Sequence, residues 1–166
     1  MKTLQAIPNK IYNADKLVKQ IQAWRILGKS IVFTNGVFDV IHKGHIASLN
    51  EAASYGDMLV VGINADASVK QLKGENRPIN DADARALILA SFLQTDAIVI
   101  FEEDTPLNII TAIMPDVLVK GGDYTIENIV GATEVLANGG TVKIASIVPG
   151  ISSTTIIEKL KKGITK

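Results

Sequence analysis

Cysteine is absent from the 166 residues. Disulfides, thiolate metal sites and a cysteine nucleophile are therefore excluded. Net charge is also missing: 17 basic residues balance 17 acidic ones. No global field gathers nucleic acid or an anionic membrane, so a phosphate ligand must be held by local groups. No apolar run approaches the ~20 residues that span a bilayer. The opening Met1-Lys2-Thr3-Leu4-Gln5 lacks the apolar core of a signal peptide. The expectation is a cytoplasmic protein with neither nucleic-acid nor membrane partners. Aromatic residues make up only 5%, but 47% hydrophobic and 20% charged residues describe a globular chain. One domain over 1–166 is expected, with a helical extension at 1–29 and a core at 30–162.

Histidine is scarce too, and both copies, His42 and His45, fall in one stretch, Phe33-Thr34-Asn35-Gly36-Val37-Phe38-Asp39-Val40-Ile41-His42-Lys43-Gly44-His45. An apolar strand runs there into a glycine-punctuated turn and then a helix. Backbone N–H groups at a helix start lack intrahelical partners and carry the positive end of the dipole, a place that favours phosphate. Gly36 and Gly44 let a ligand approach the backbone. At i and i+3 the imidazoles share one helical face, and each can offer an N–H to a phosphate oxygen. The inferred ligand is a nucleoside triphosphate. A metal site with Asp39 as third ligand competes, but no further ligand cluster accompanies it. Gly28-Lys29-Ser30 imitates the end of a P-loop, yet Ala23 stands where the upstream glycine belongs.

The rest of the chain alternates strands and helices. Asn13 caps a helix from about Ala14 to Leu27, with Leu17, Val18, Ile21 and Trp24 at helical spacing. Strands are expected at 31–34, 58–63, 97–101, 117–120 and 141–144, the second with the continuous apolar character of a sheet buried on both faces. Between them lie helices from about Gly44 to Tyr55, with Ile46, Leu49 and Ala53 on one side, and from Asp66. Another runs from Asn80 or Asp81 to Leu93, with Ala84, Leu87, Ile88 and Phe92 inward. Thr105 and Pro106 read as cap and first helical residue, a further helix ends near Asn138, and Ser152 or Ser153 caps the last, at 154–162. This order demands a doubly wound α/β fold on a five-stranded parallel sheet, which binds ligands beyond the carboxyl ends of its strands.

Six segments carry a family resemblance: Asn35 to Asp39, His42-x-Gly44-His45, Asn76-Arg77-Pro78-Ile79-Asn80, Glu103-Asp104-Thr105-Pro106, Pro115 to Tyr124 including Lys120-Gly121-Gly122-Asp123-Tyr124, and Ser152-Ser153. Over 31–160 the chain resembles the heptose 1-phosphate adenylyltransferases of the His-x-Gly-His nucleotidyltransferase superfamily, found also as the second domain of a bifunctional heptose kinase/adenylyltransferase. The resemblance implies a Rossmann-like nucleotidyltransferase fold. It also implies transfer of AMP from ATP to a heptose 1-phosphate, with magnesium on the triphosphate, and it adds a homodimer as an expectation. A kinase domain precedes this region in the bifunctional relatives, whereas a monofunctional arrangement is expected here. Related cytidylyltransferases carry arginine-threonine where this chain has Ile147-Val148-Pro149 ahead of Gly150-Ile151-Ser152, which lowers the cytidylyl reading. Transfer to another small phosphate such as glycerol 3-phosphate, and a nucleotide-binding regulatory module without turnover, are the alternatives.

Residue by residue, the resemblance implies that His42 and His45 bind the triphosphate and stabilise charge on its α-phosphate. Lys120, at a strand end beside two glycines, joins them as a catalytic candidate holding phosphate or sugar phosphate. Asn35, Gly36, Phe38 and Gly44 are nucleotide-binding candidates, as are Ser152, Ser153 and Thr154 at the last helix start, a place the superfamily uses for the nucleotide phosphates. Lys73 and Arg77, from a basic run that includes Lys70, are candidates for phosphate contact, and Asp123 for the sugar hydroxyls. Asp39 stands with these substrate-binding candidates, a cap on the following turn being its alternative. Asp83, Arg85 and the Glu102-Glu103-Asp104 cluster read as surface or capping residues.

Overall fold

The computed structural model describes residues 4–146 and 148–164. Residues 1–3, part of the signal-peptide reading, and Ile147, part of the cytidylyl comparison, lie outside the described residues. In chain order the elements are β1 (Ile11–Tyr12), α1 (Ala14–Ile26), β2 (Ile31–Gly36), α2 (Lys43–Ala53), β3 (Met58–Asn64), α3 (Asp66–Lys73), α4 (Ala82–Ala90), β4 (Ala97–Phe101), α5 (Leu107–Ile113), β5 (Val117–Gly121), α6 (Ala132–Ala137), β6 (Thr141–Ala145) and α7 (Ser153–Ile164). Their strands form one sheet in the order β1-β4-β3-β2-β5-β6, and every pairing is parallel.

Alternation along the strands divides the core into two layers. Ile31 and Phe33 of β2, Val60 of β3, Val99 of β4 and Leu118 of β5 join Leu17 and Ile21 of α1, Ile110 and Ile113 of α5 and Val135 of α6. On the other face Val32, Leu59, Val61, Ile63, Ile98 and Val119 meet Leu49 and Ala52 of α2 and Ala86, Leu89 and Ala90 of α4. Successive side chains of a strand point to opposite faces, so strands apolar at nearly every position need helices on both sides.

The expectations fail at several places, each for a physical reason. The sheet has six strands among the described residues, the addition being the two-residue β1, which pairs Ile11 with Ile98 and Tyr12 with Val99. Two residues show no periodicity, so the strand exists only through its partner. The described part of 1–29 therefore contributes an edge strand and, through Leu17 at 0% and Ile21 at 1% exposure, fully buried core. Leu87 is 45% and Ile46 41% exposed, while α4 buries Arg85, Ala86, Leu89 and Ala90. A buried arginine turns that helix away from the face its apolar residues suggest. Pro106 itself is the N-cap of α5, without a side-chain cap bond from Thr105, and the segment after β5 holds a 3-10 turn, Ile126–Asn128, before α6.

Leu17→Ala is expected to cost about 2–5 kcal/mol in urea denaturation, because it opens a cavity under the sheet. Leu27→Ala, at a residue 73% exposed just past α1, is expected to stay within about 0.5 kcal/mol of the parent.

Candidate functional site

After β2 the chain builds β3 and β4 on one side and then crosses to lay β5 on the other. Neighbouring loops part at such a switch point, and the crevice opens beyond the carboxyl ends of the strands. Lys120 at the end of β5 spans it, with Nζ donating to Asn35 Oδ1 of β2 at 3.2 Å. A cavity of about 740 Å³ occupies this place. It is lined by every residue assigned above to catalysis, nucleotide binding or substrate binding: His42, His45 and Lys120; Asn35, Gly36, Phe38, Gly44, Ser152, Ser153 and Thr154; Asp39, Lys73, Arg77 and Asp123. Lys70, Glu102 and Glu103 stay outside it, whereas Asp104, read as surface, lines it.

The histidine turn is shaped by local bonds. His42 is the N-cap of α2, and its Nδ1 accepts from Gly44 N at 3.1 Å. That bond leaves the proton of a neutral His42 on Nε2. A Cβ on Gly44 would stand 3.0 Å from the His42 ring, so a larger residue there would press on this cap. The two imidazoles stack with centroids 3.8 Å apart and planes at 20°. His45 Nδ1 is buried and has no hydrogen-bond partner among the described residues. An unmet lone pair is cheaper to bury than an unmet N–H, which favours the Nε2–H form there too. Phe38 packs against His45 at 5.2 Å and 59° with a left-handed φ of +50°, a strained backbone for a bulky side chain. A Cβ on Gly36 would come 3.0 Å from the Phe38 ring, so this glycine makes room for that wedge.

Both imidazoles are neutral near pH 7. Burial lowers the pKa of His42 below its ordinary 6.5, and burial together with the charge of His42 brings His45 down to about 4. Burial also lowers Lys120, whose ammonium contacts Asn35 and, at 5.3 Å, the Tyr124 ring.

Asp39 lines the cavity, and its carboxylate is also bonded into the fold. Only 1% exposed, its carboxylate accepts from Arg77 Nε at 2.6 Å, Ile79 N at 2.8 Å and Asn80 N at 2.9 Å. Burial alone would raise this carboxyl; the N–H groups of Asn80 and Ile79 and the Arg77 guanidinium reverse that and hold it below its usual range. Arg77 is pinned by Nε, which leaves its remaining donors to the cavity it lines. At the last helix Thr155 N donates to Ser152 Oγ at 3.1 Å, and Ser153 Oγ donates to the Val40 carbonyl at 2.9 Å. The second bond ties the start of α7 to the histidine turn.

Arg85 is the residue that sequence reasoning missed. It is 0% exposed and hydrogen-bonds the Asn80, Val37 and Asn64 carbonyls and Asp66 Oδ1. One signal was present: in the buried pattern of α4 it stands one residue before Ala86 and four before Leu89.

Three comparisons bear on this arrangement. A family model described as cytidylyltransferase-like matches residues 33–159. The bifunctional protein HldE of Rhodospirillum rubrum is 47% identical over 160 residues, 96% of this chain and 32% of that protein. The protein of the same name from a Marinomonas species is 54% identical over 143 residues, 86% of this chain and 30% of its own length. The chain thus spans about a third of the curated relatives it matches. Among solved structures, a lipopolysaccharide core biosynthesis protein from Thermoplasma volcanium superposes with a TM-score of 0.62 at 25% identity, over 73% of this chain and 99% of that one. Pantoate-beta-alanine ligase from Francisella tularensis, at 17% identity and a TM-score of 0.56 over 91% of this chain and 76% of its own, shares the fold alone.

The histidine pKa values predict an acid-labile fold. Both are lower in the folded chain than the ordinary 6.5, so the unfolded chain binds more protons between about 4 and 6.5. Stability from these groups is complete above that window and declines as the pH falls through it. Urea denaturation from pH 7.5 to 4.5 is expected to show this fall, reduced in His45→Asn.

Proposed function

Because the chain belongs to the cytidylyltransferase-like family of nucleotidyltransferases, we propose that it transfers AMP from ATP to a heptose 1-phosphate, releasing pyrophosphate. The observation that carries this reading is the pair of neutral, stacked imidazoles at the start of α2, in one cavity with Lys120, Arg77 and the start of α7. The resemblance to heptose 1-phosphate adenylyltransferases and the HldE relatives support the choice of nucleotide and acceptor. ADP-heptose so formed would feed a surface polysaccharide, a theme consistent with the similar protein from Thermoplasma volcanium.

Such a transfer needs no protein nucleophile. An oxygen of the sugar phosphate attacks the α-phosphorus as the bond to the bridging oxygen of the β-phosphate breaks, and the electron pair leaves with pyrophosphate. Catalysis then consists of in-line positioning and compensation of charge. Nε2–H groups of His42 and His45 donate to triphosphate oxygens without adding a fixed cation beside the turn. Gly44, the Ser152 and Thr154 hydroxyls and the backbone of Ser152, Ser153 and Thr154 hold the phosphates, the Ser153 hydroxyl being committed to the Val40 carbonyl, and Asn35, Gly36 and Phe38 form the floor. Lys120, whose burial is uncompensated by a carboxylate contact among the described residues, takes the acceptor phosphate. Lys73 and Arg77 face the phosphates from the other rim, Asp123 accepts from sugar hydroxyls, and Asp39 acts by holding Arg77.

Magnesium enters this reading with the nucleotide. Among the described residues no group of three or more histidines and carboxylates forms a metal cage. A magnesium ion that arrives with ATP would take its ligands chiefly from phosphate oxygens and water and would shield the charge of the triphosphate.

Pyrophosphate release, measured with ATP, CTP and GTP each with and without heptose 1-phosphate, is expected only for ATP with the sugar phosphate. The double substitution His42→Ala, His45→Ala is expected to lower kcat by at least about 10³-fold. Turnover that survives the double substitution would remove the histidines from the mechanism. Turnover only with glycerol 3-phosphate would replace the acceptor. Nucleotide-dependent thermal stabilisation without release would leave a binding module in place of an enzyme.

A further inference from the structure

Arg85 lies behind the cavity wall. It is fully buried, and its guanidinium reaches three segments separated in sequence, at Val37, at Asn64 and Asp66, and at Asn80. Nε donates to the Asn80 carbonyl at 3.0 Å, and one terminal nitrogen donates to the Val37 carbonyl at 2.8 Å. The other terminal nitrogen donates to the Asn64 carbonyl at 2.8 Å and to Asp66 Oδ1 at 2.6 Å. A buried cation is tolerated only when paired and hydrogen-bonded, and these four bonds give each guanidinium nitrogen a partner and the charge a carboxylate.

Each acceptor belongs to a piece of the cavity wall or adjoins one. Val37 lies between Gly36 and Phe38 in the turn that leads to the histidines. Asn64 ends β3 and lines the cavity. Asn80 closes the loop that carries Arg77, and its own N–H goes to Asp39. One planar group therefore bridges the turn that leads to the histidines and the loop that carries Arg77, two segments that Asp39 also joins. The guanidinium is rigid and offers five donors in fixed directions, whereas a lysine ammonium is a single point on a flexible stem.

Resting on the transferase reading above, we propose that Arg85 is a positioning residue: it touches no substrate, and it holds the His42–His45 turn and Arg77 at the spacing that in-line transfer requires. The strain at Phe38 adds to the need for such a brace, because the residue with left-handed φ follows directly on the braced Val37 carbonyl.

Arg85→Lys keeps the charge and cannot serve all four acceptors, so the turn and the loop shift relative to one another. Misplacement on the ångström scale costs up to about 10²-fold in rate. The expected result is a kcat at least about 10-fold below the parent, with KM for ATP changed far less. The matched control is Leu89→Ala, a fully buried residue of the same helix that makes none of these bonds. It is expected to lose comparable thermal stability and, assayed below both melting temperatures, to keep kcat within about 2-fold. Side-chain NMR of His42 and His45 supplies a readout independent of turnover: their imidazole resonances are expected to move in Arg85→Lys and to stay in Leu89→Ala.

A folded Arg85→Lys with parental kcat and unmoved histidine resonances overturns the proposal, as does an equal loss of kcat in Leu89→Ala. Should Arg85→Lys not fold, Asp66→Asn replaces it by weakening one of the four bonds at a partner whose side chain is 38% exposed. A kcat reduced more than about 3-fold at nearly unchanged melting temperature then supports the proposal, and an unchanged kcat overturns it. Absence of turnover in the parent protein withdraws the transferase reading, and the histidine resonances alone then decide the role of Arg85.

Discussion

A buried carboxylate organises this molecule's site. Asp39 draws the Arg77 guanidinium and the Ile79 and Asn80 N–H groups onto the turn that follows β2. Two segments about forty residues apart thereby become one wall. The burial that makes an unpaired carboxylate so expensive also makes its pairing exacting, because a missing donor there cannot be replaced by water. Arg85 answers it with opposite sign, gathering carbonyl groups where Asp39 gathers N–H groups. Two hidden charges therefore tie together the loops at the site, and the cavity-lining groups of the histidine turn and of the Arg77 loop stand on those loops.

Zero net charge and an anionic ligand are compatible because attraction is local. Among the groups that line the cavity are two imidazoles kept neutral by burial, a lysine lowered by burial and a helix start tethered by Ser153. Neutral N–H donors can approach a triphosphate closely without repelling each other, and the two rings could not stack at 3.8 Å if both were charged. The cost falls on acid stability, since protons compete for these rings as the pH falls.

Much of the architecture was legible before any coordinates. Continuous apolar strands such as 58–64 and helices of clear period, with Asn13 and Asp81 as caps, carry their own signals over a few neighbouring residues. The edge strand Ile11–Tyr12 carried none, because two residues form a strand only when a partner offers free backbone groups. Arg85 was read as surface for a related reason. Charge usually marks the solvent face of a helix, and the carbonyls that overturn the rule lie 48 and 21 residues away, with Asp66 at 19.

By itself, then, the sequence determined the alternating fold, the place of the histidine turn at a strand end, and the residue types that line the cavity, since these depend on local periodicity, caps and glycines. Tertiary structure alone decided which polar residues line the cavity and which of them are bound into its wall. Asp39 and Arg77 look alike as exposed binding groups in one dimension; in three, they meet at 2.6 Å and one disappears beneath the other. Burial and hydrogen-bond partners are properties of the assembled chain, and no window of neighbouring residues contains them.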